Sequence, residues 1–230
     1  MGQHNPPDLG KARAKQIASV KQTIANNLQH GDVLVCYGKG WIPLFISIWT
    51  GLWNPFKWGR NRFSSPSHIA FASEYYHTGS GTNGEKSLLV FESTTLSKLK
   101  DWVSKARRSG VQAHAPYEWL HHYTGRVEVM RLRTPMTTAG KESSALYAMS
   151  AHRRQDEYDT NQAFGAGLRT ILNTEDGTAL FCSEFCAFFL QKGGVLTTAK
   201  NCSEQTPLDV ARFKCLATEE TLVSLHKASL

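Results

Sequence analysis

Cys182 opens a mostly apolar run, through Phe185, Cys186, Ala187, Phe188, Phe189 and Leu190, that stops at Gly193 and Gly194. The pattern predicts a helix with the cysteine in its first turn. A thiol there meets unpaired backbone N–H groups and the positive end of the helix dipole, both of which favour the thiolate. The same amides can receive charge developing on the oxygen of an attacked carbonyl. The pattern is also that of a structural cysteine buried in an apolar helix. Cys186 fits this second description better, because it lies one turn further in, where the dipole has faded.

A thiolate nucleophile needs a base, and the base needs a group that orients it. Nine histidines are present. His68 stands out because it begins an apolar run to Ala72, just after Ser64, Ser65, Pro66 and Ser67. Glu92 ends an equally apolar run from Leu88. If these runs are antiparallel neighbours joined through the Gly- and Ser-rich segment 78–86, both side chains fall on one face near one end. A carboxylate there holds the imidazole's tautomer and favours its protonated form. The alternatives are an edge-strand histidine and a solvent-facing glutamate. Metal binding is the other use of Cys and His, with Cys182 and Cys186 on one helical face and His30, His121 and His122 available. No Cys-x-x-Cys pair and no His-Glu-x-x-His occurs, so no metal or other cofactor is expected.

The elements that must position these groups follow from periodicity. Residues 8–29 read as an amphipathic helix, with Asp8 as N-cap, Leu9, Ile17, Val20, Ile24 and Leu28 on one stripe, and Gly31 as the stop. Short strands are expected over 33–37, 68–72, 88–92, 110–113 and 126–132, the last alternating as a half-exposed strand does. Further helices are expected over 141–153 and 161–172. The most apolar stretch is 41–53, with Trp41, Trp49 and Trp53. It is short of the about 20 residues that span a bilayer, and suits either a lipid or protein interface or a buried helix. A basic loop containing Lys57, Arg60 and Arg62 follows it.

The chain of 230 residues is long enough for one compact domain with its own core. Its net charge of +7 reads as a solvated basic surface, or as attraction to an anionic membrane or cell-envelope surface. No nucleic-acid module is legible, and no nucleic acid is expected as a partner. Five cysteines, an odd number without framework spacing, point to a reducing compartment. No signal peptide or transmembrane helix is visible, so the expected location is cytoplasmic, either free or at a membrane periphery.

Five segments occur in a telling order: Gly31 to Val35, Ser67 to Phe71, Val90 to Ser93, Gly110 with Val111, and Phe181-Cys182-Ser183-Glu184-Phe185. This order resembles the permuted branch of the NlpC-type papain-like superfamily, especially its YiiX-like members. There the histidine starts a strand, the acid ends the next, and the cysteine starts a later helix in a Cys-Ser-Glu context. The resemblance implies an α+β, circularly permuted papain-like fold: a small antiparallel sheet or half-barrel packed against the cysteine helix. It implies Cys182 as nucleophile, His68 as base and Glu92 as orienting acid. Ser183, Tyr37 and Tyr158 are candidates for oxyanion or substrate contacts, and Thr206 with Pro207 looks like a weaker landmark. The implied domain covers 31–215, preceded by the helix of 1–30 and followed by a tail over 216–230. The implied activity is that of a thiol hydrolase or acyltransferase on a peptide, N-acyl amide or lipid ester. The related lecithin retinol acyltransferase group shares the permuted order, but its Asn-Cys-Glu-His context is absent here. The rival expectation is a non-enzymatic lipid- or peptide-binding module that uses the same cleft.

Overall fold

The structure is a computed structural model and describes residues 9–38, 66–77, 85–95, 99–157, 180–197 and 201–218. It is an α+β arrangement. The elements run α1 (Leu9–Asn27), β1 (Val33–Tyr37), β2 (His68–Tyr76), β3 (Lys86–Thr94), β4 (Gly110–His114), α2 (Pro116–His122), β5 (Arg126–Leu132), α3 (Thr138–Arg154), α4 (Cys182–Lys192), a 3-10 turn (Cys202–Glu204), α5 (Pro207–Val210) and β6 (Leu216–Thr218). The six strands form one antiparallel sheet in the order β4-β3-β2-β1-β5-β6. Asp8, residues 41–53, the basic loop after them, the helix expected over 161–172 and Tyr158 lie outside the described residues.

Strand alternation divides the sheet's side chains between two cores. Val33, Val35, Ile69, Phe71, Leu89, Phe91, Val111 and Ala113 face one way and pack with α3 and α4. Leu34, Cys36, Ala70, Ala72, Val90 and Val129 face the other way, onto Ile24 and Ala25 of α1, Leu28 just after it, and Trp119 and Leu120 of α2. Because both faces are covered, β2 and β3 read as near-continuous apolar runs rather than as alternating ones. In α1 the buried stripe is narrower than its periodicity suggests. Ile24 and Leu28 are buried, but Val20 is 39% exposed, because α1 packs mainly against α2 and only its C-terminal end joins the core beneath. The sheet also takes in Leu216–Thr218, which pairs with β5, so the residues at which the tail was expected to start form an edge strand.

One aromatic cluster fixes the helix that matters most. The Phe71 ring of β2 lies 4.8 Å from that of Phe185 and 4.1 Å from that of Phe189, both on α4. Phe185 sits three residues after Cys182, and Phe71 three after His68. Locking these rings therefore brings the start of the helix to the start of the strand. Such aromatic pairs contribute about 0.5–1.5 kcal/mol beyond the area they bury. The helix stops where expected: Gly193 N–H bonds Phe189 O, and Gly194 takes φ +71°, a left-handed conformation suited to glycine.

Gly31 closes the turn into β1 with φ +94°, and its N–H bonds Ala72 O at 2.9 Å. A Cβ there would stand 2.7 Å from Leu132 Cδ1, the mobile end of a side chain. The left-handed conformation, rather than the clash, is the main penalty. Gly31→Ala is expected to lower stability by about 1–2 kcal/mol, read from the urea midpoint at unchanged m-value. An unchanged midpoint would show that the turn relaxes to a negative φ.

Candidate active site

The antiparallel register pairs Cys36 with His68 and Ala70 with Glu92. His68 and Glu92 thus share a sheet face two residues apart, and His68 Nε2 lies 2.8 Å from Glu92 Oε2. The His68 side chain is 19% exposed and that of Glu92 only 7%, so the imidazole reaches the surface while the carboxylate stays behind it. Ser67 fixes the approach to His68: its Oγ accepts from Gly38 N–H at 2.9 Å.

With Nε2 held by Glu92, His68 has Nδ1 left for a second partner, and its other side-chain hydrogen bond is to Cys182. The helix start is placed by Ser93 at the end of β3, whose buried hydroxyl donates to Leu180 O. The N-cap residue of α4 is Phe181, which has no side-chain oxygen to occupy the first-turn amides. One of them, Ser183 N–H, turns to the Cys182 sulfur. A second amide comes from the sheet. Ala72 N–H bonds Asp32 on the β1 side, so by alternation Ile69 N–H points toward β3. The β2–β3 ladder has its last rung at Ala70–Glu92, and beyond it the Ile69 amide bonds the sulfur.

The electrostatics follow from this geometry. Burial alone would raise the Cys182 thiol, but the His68 charge and hydrogen bond, with the Ile69 and Ser183 amides, outweigh it and the thiol is lowered. Burial alone would lower His68, but Cys182 and then Glu92 push it up to about 10. Burial would raise Glu92, yet the His114 and His68 imidazoles set against it hold its carboxyl well below the usual range. The arrangement favours a thiolate–imidazolium pair backed by a carboxylate. The other cysteines with a resolved shift move the opposite way. Burial pushes Cys36 and Cys186 well above the ordinary thiol range and also raises Cys215.

Three sequence candidates fare differently. The Ser183 hydroxyl is fully buried and donates to Gln205 O at 2.7 Å, so the residue contributes its amide to the site and not its side chain. The Tyr37 hydroxyl donates to Glu128 Oε2 at 2.9 Å, and the Arg126 guanidinium covers its ring at 3.8 Å from the centroid. That hydroxyl is committed to a surface cluster on β1 and β5. Tyr158 lies outside the described residues. Thr206 and Pro207 start α5, where Thr206 and Asp209 form a reciprocal capping box.

Sequence reasoning missed the Ile69 amide, the Ser93 anchor and His114. The Ile69 amide could have been suspected from its place next to a strand-initial histidine. His114 had no sequence signal, because its relation to Glu92 depends on the register of β3 with β4. Comparison of the sequence with models of known protein families and with curated proteins gives no match.

Proposed function

We propose that this protein is a cysteine-dependent hydrolase or acyltransferase acting on an amide or ester carbonyl. The observation that carries the reading is His68, held by Glu92 on one side and hydrogen-bonded on the other to a thiol at a helix start. The finer fold reading, a circularly permuted papain-like domain, belongs to the same proposal. Its support is the chain order of histidine, acid and cysteine on consecutive strands and a later helix, against one face of an antiparallel sheet.

The Cys182 thiolate attacks the carbonyl carbon, and the carbonyl's π electrons move to its oxygen. The Cys182 amide, in the first turn of α4, is the donor proposed for that oxyanion. The oxyanion collapses, the C–N or C–O bond breaks, and the His68 imidazolium gives its proton to the leaving amine or alcohol. A thioester on Cys182 remains. Water or another acceptor, deprotonated by the now neutral His68, attacks the thioester and releases the thiolate. Glu92 keeps its charge throughout and holds the imidazole ring.

The test is covalent. The protein is mixed with activated aryl esters, of fatty acids of several lengths and of N-acyl amino acids, and quenched in acid. Intact-mass and peptide analysis is expected to show one acyl group on Cys182, sensitive to hydroxylamine, which disappears as product forms. Absence of acylation at Cys182 across the panel, in folded protein, would move the binding-module reading ahead.

A further inference from the structure

Glu92 is buried, and a carboxylate has two oxygens to satisfy. Oε2 faces His68 Nε2 at 2.8 Å. Oε1 faces the Nε2 of a second histidine, His114, at 3.3 Å. His114 is 1% exposed and ends β4. The register explains the meeting. Val90 lies opposite His114 and Glu92 opposite Gln112, so His114 and Glu92 are diagonal neighbours on one face. The far side of the His114 ring is fixed too, with Nδ1 3.3 Å from Lys100 O. A carboxylate oxygen only accepts, so at the Glu92 end His114 can serve only through an Nε2–H.

Lys100 is itself held. Its neighbour Asp101 accepts from Ala113 N–H at 2.9 Å, and Trp102 N–H bonds Ala113 O at 2.7 Å. The segment before β4 therefore runs beside that strand and presents its carbonyl at a set height. A continuous line results, from the Lys100 carbonyl through His114, Glu92 and His68 to Cys182.

We propose that His114 is a positioning residue of the thiol site, the second donor that fixes Glu92 and, through it, the ring of His68. This rests on the Cys182–His68–Glu92 reading and extends it by one residue. His114 touches no reacting atom. It removes the freedom of the carboxylate to turn its other oxygen toward His68, and it adds a second N–H dipole beside a buried carboxylate.

Two substitutions separate this role from simple anchoring of the loop. His114→Asn places an amide where Nδ1 was, within reach of Lys100 O, but falls short of Glu92. His114→Gln reaches Glu92 with its amide and gives up Lys100. The readout is alkylation of Cys182 by iodoacetamide against pH, followed by peptide mass spectrometry, with thermal unfolding recorded alongside. Loss of one hydrogen bond to a buried charge should make the Asn variant about tenfold slower at pH 6 and move its profile up by about one unit. The Gln variant should recover to within about threefold of wild type by the same measure. Asn at the wild-type rate with Gln slowed would overturn the proposal and make His114 a loop anchor only; Asn and Gln slowed alike would overturn it too, because restoring an amide to Glu92 would then restore nothing. Glu92→Gln is run in parallel. If it slows alkylation and His114→Asn does not, the His114 inference fails alone. If Glu92→Gln also leaves alkylation unchanged, the underlying triad reading fails.

Discussion

Exchanging His68 for Ala is expected to remove the low-pH reactivity of Cys182. In the wild type the imidazole is pushed up to about 10 and the thiol is lowered, so thiolate and imidazolium coexist across the neutral range. Without the imidazole, burial dominates the sulfur, as it does for Cys186, and drives its titration above the ordinary thiol value of about 8.5. At pH 6 well under 1% of such a thiol is ionised. Part of that loss is returned, because a thiolate of higher pKa is intrinsically more nucleophilic, with a Brønsted coefficient of about 0.4–0.5. The net expectation is a fall of at least about tenfold in iodoacetamide alkylation at pH 6, shrinking as pH rises toward 10. The ultraviolet absorbance of the thiolate should disappear at neutral pH in the same variant. Equal rates in the two proteins at pH 6 would mean that the pair does not form, and the thiol-hydrolase reading would lose its basis.

The second large effect concerns Asp101. This carboxylate is fully buried and accepts from Val103, Ser104 and Ala113 N–H groups and from His152 Nε2 at 2.8 Å, with Arg108 at 3.8 Å. It ties the segment before β4 to α3, and so sets the height of the Lys100 carbonyl. Asp101→Ala leaves three amides, an imidazole and a guanidinium facing a hole. Breaking a buried charge network in this way costs about 3–5 kcal/mol. That is a large share of the about 5–15 kcal/mol that stabilises a typical domain. Urea unfolding at pH 7 measures it, and a loss below about 1 kcal/mol would show that water replaces the carboxylate.

The same group makes the fold acid-labile. Burial would raise the Asp101 carboxyl, but the hydrogen bonds from His152, Ser104 and Ala113 hold it well below the usual range. A depressed carboxyl contributes stability that is fully present above its unfolded value of about 4 and is lost as pH falls through the folded one. The thermal midpoint of the wild type should therefore drop progressively below about pH 4. In Asp101→Asn it should start lower and vary less over that range. Parallel curves for the two proteins would assign the acid lability elsewhere, with Glu92 the next candidate.

Several features could be read before any fold was known, because they are local. Five strands, 33–37, 68–72, 88–92, 110–113 and 126–132, were legible from short apolar or alternating runs between turn residues, and the structure lengthens three of them by one to four residues. The helix from Cys182 and its glycine stop were legible from apolar content and punctuation. His68 and Glu92 could be paired on paper, because a hairpin has few registers that put both polar groups at one end. Short elements without periodicity were not legible: α2, α5 and β6 form because the sheet and α1 give them something to pack against or pair with.

The amino-acid sequence by itself determined the three groups on which the proposal rests: a helix-initial cysteine, a strand-initial histidine and a glutamate on the neighbouring strand. Only the tertiary structure decided which groups serve them. Ile69 supplies an amide because the β2–β3 ladder ends one residue away. The Ser183 side chain is turned to Gln205, and the Tyr37 hydroxyl to Glu128. His114 reaches Glu92 across a β3–β4 register that no local pattern encodes. The physical reason is range. Propensity and periodicity act over a few neighbouring residues, whereas the partners of a buried charge are set by which strands lie side by side and by how many residues each is displaced along the other.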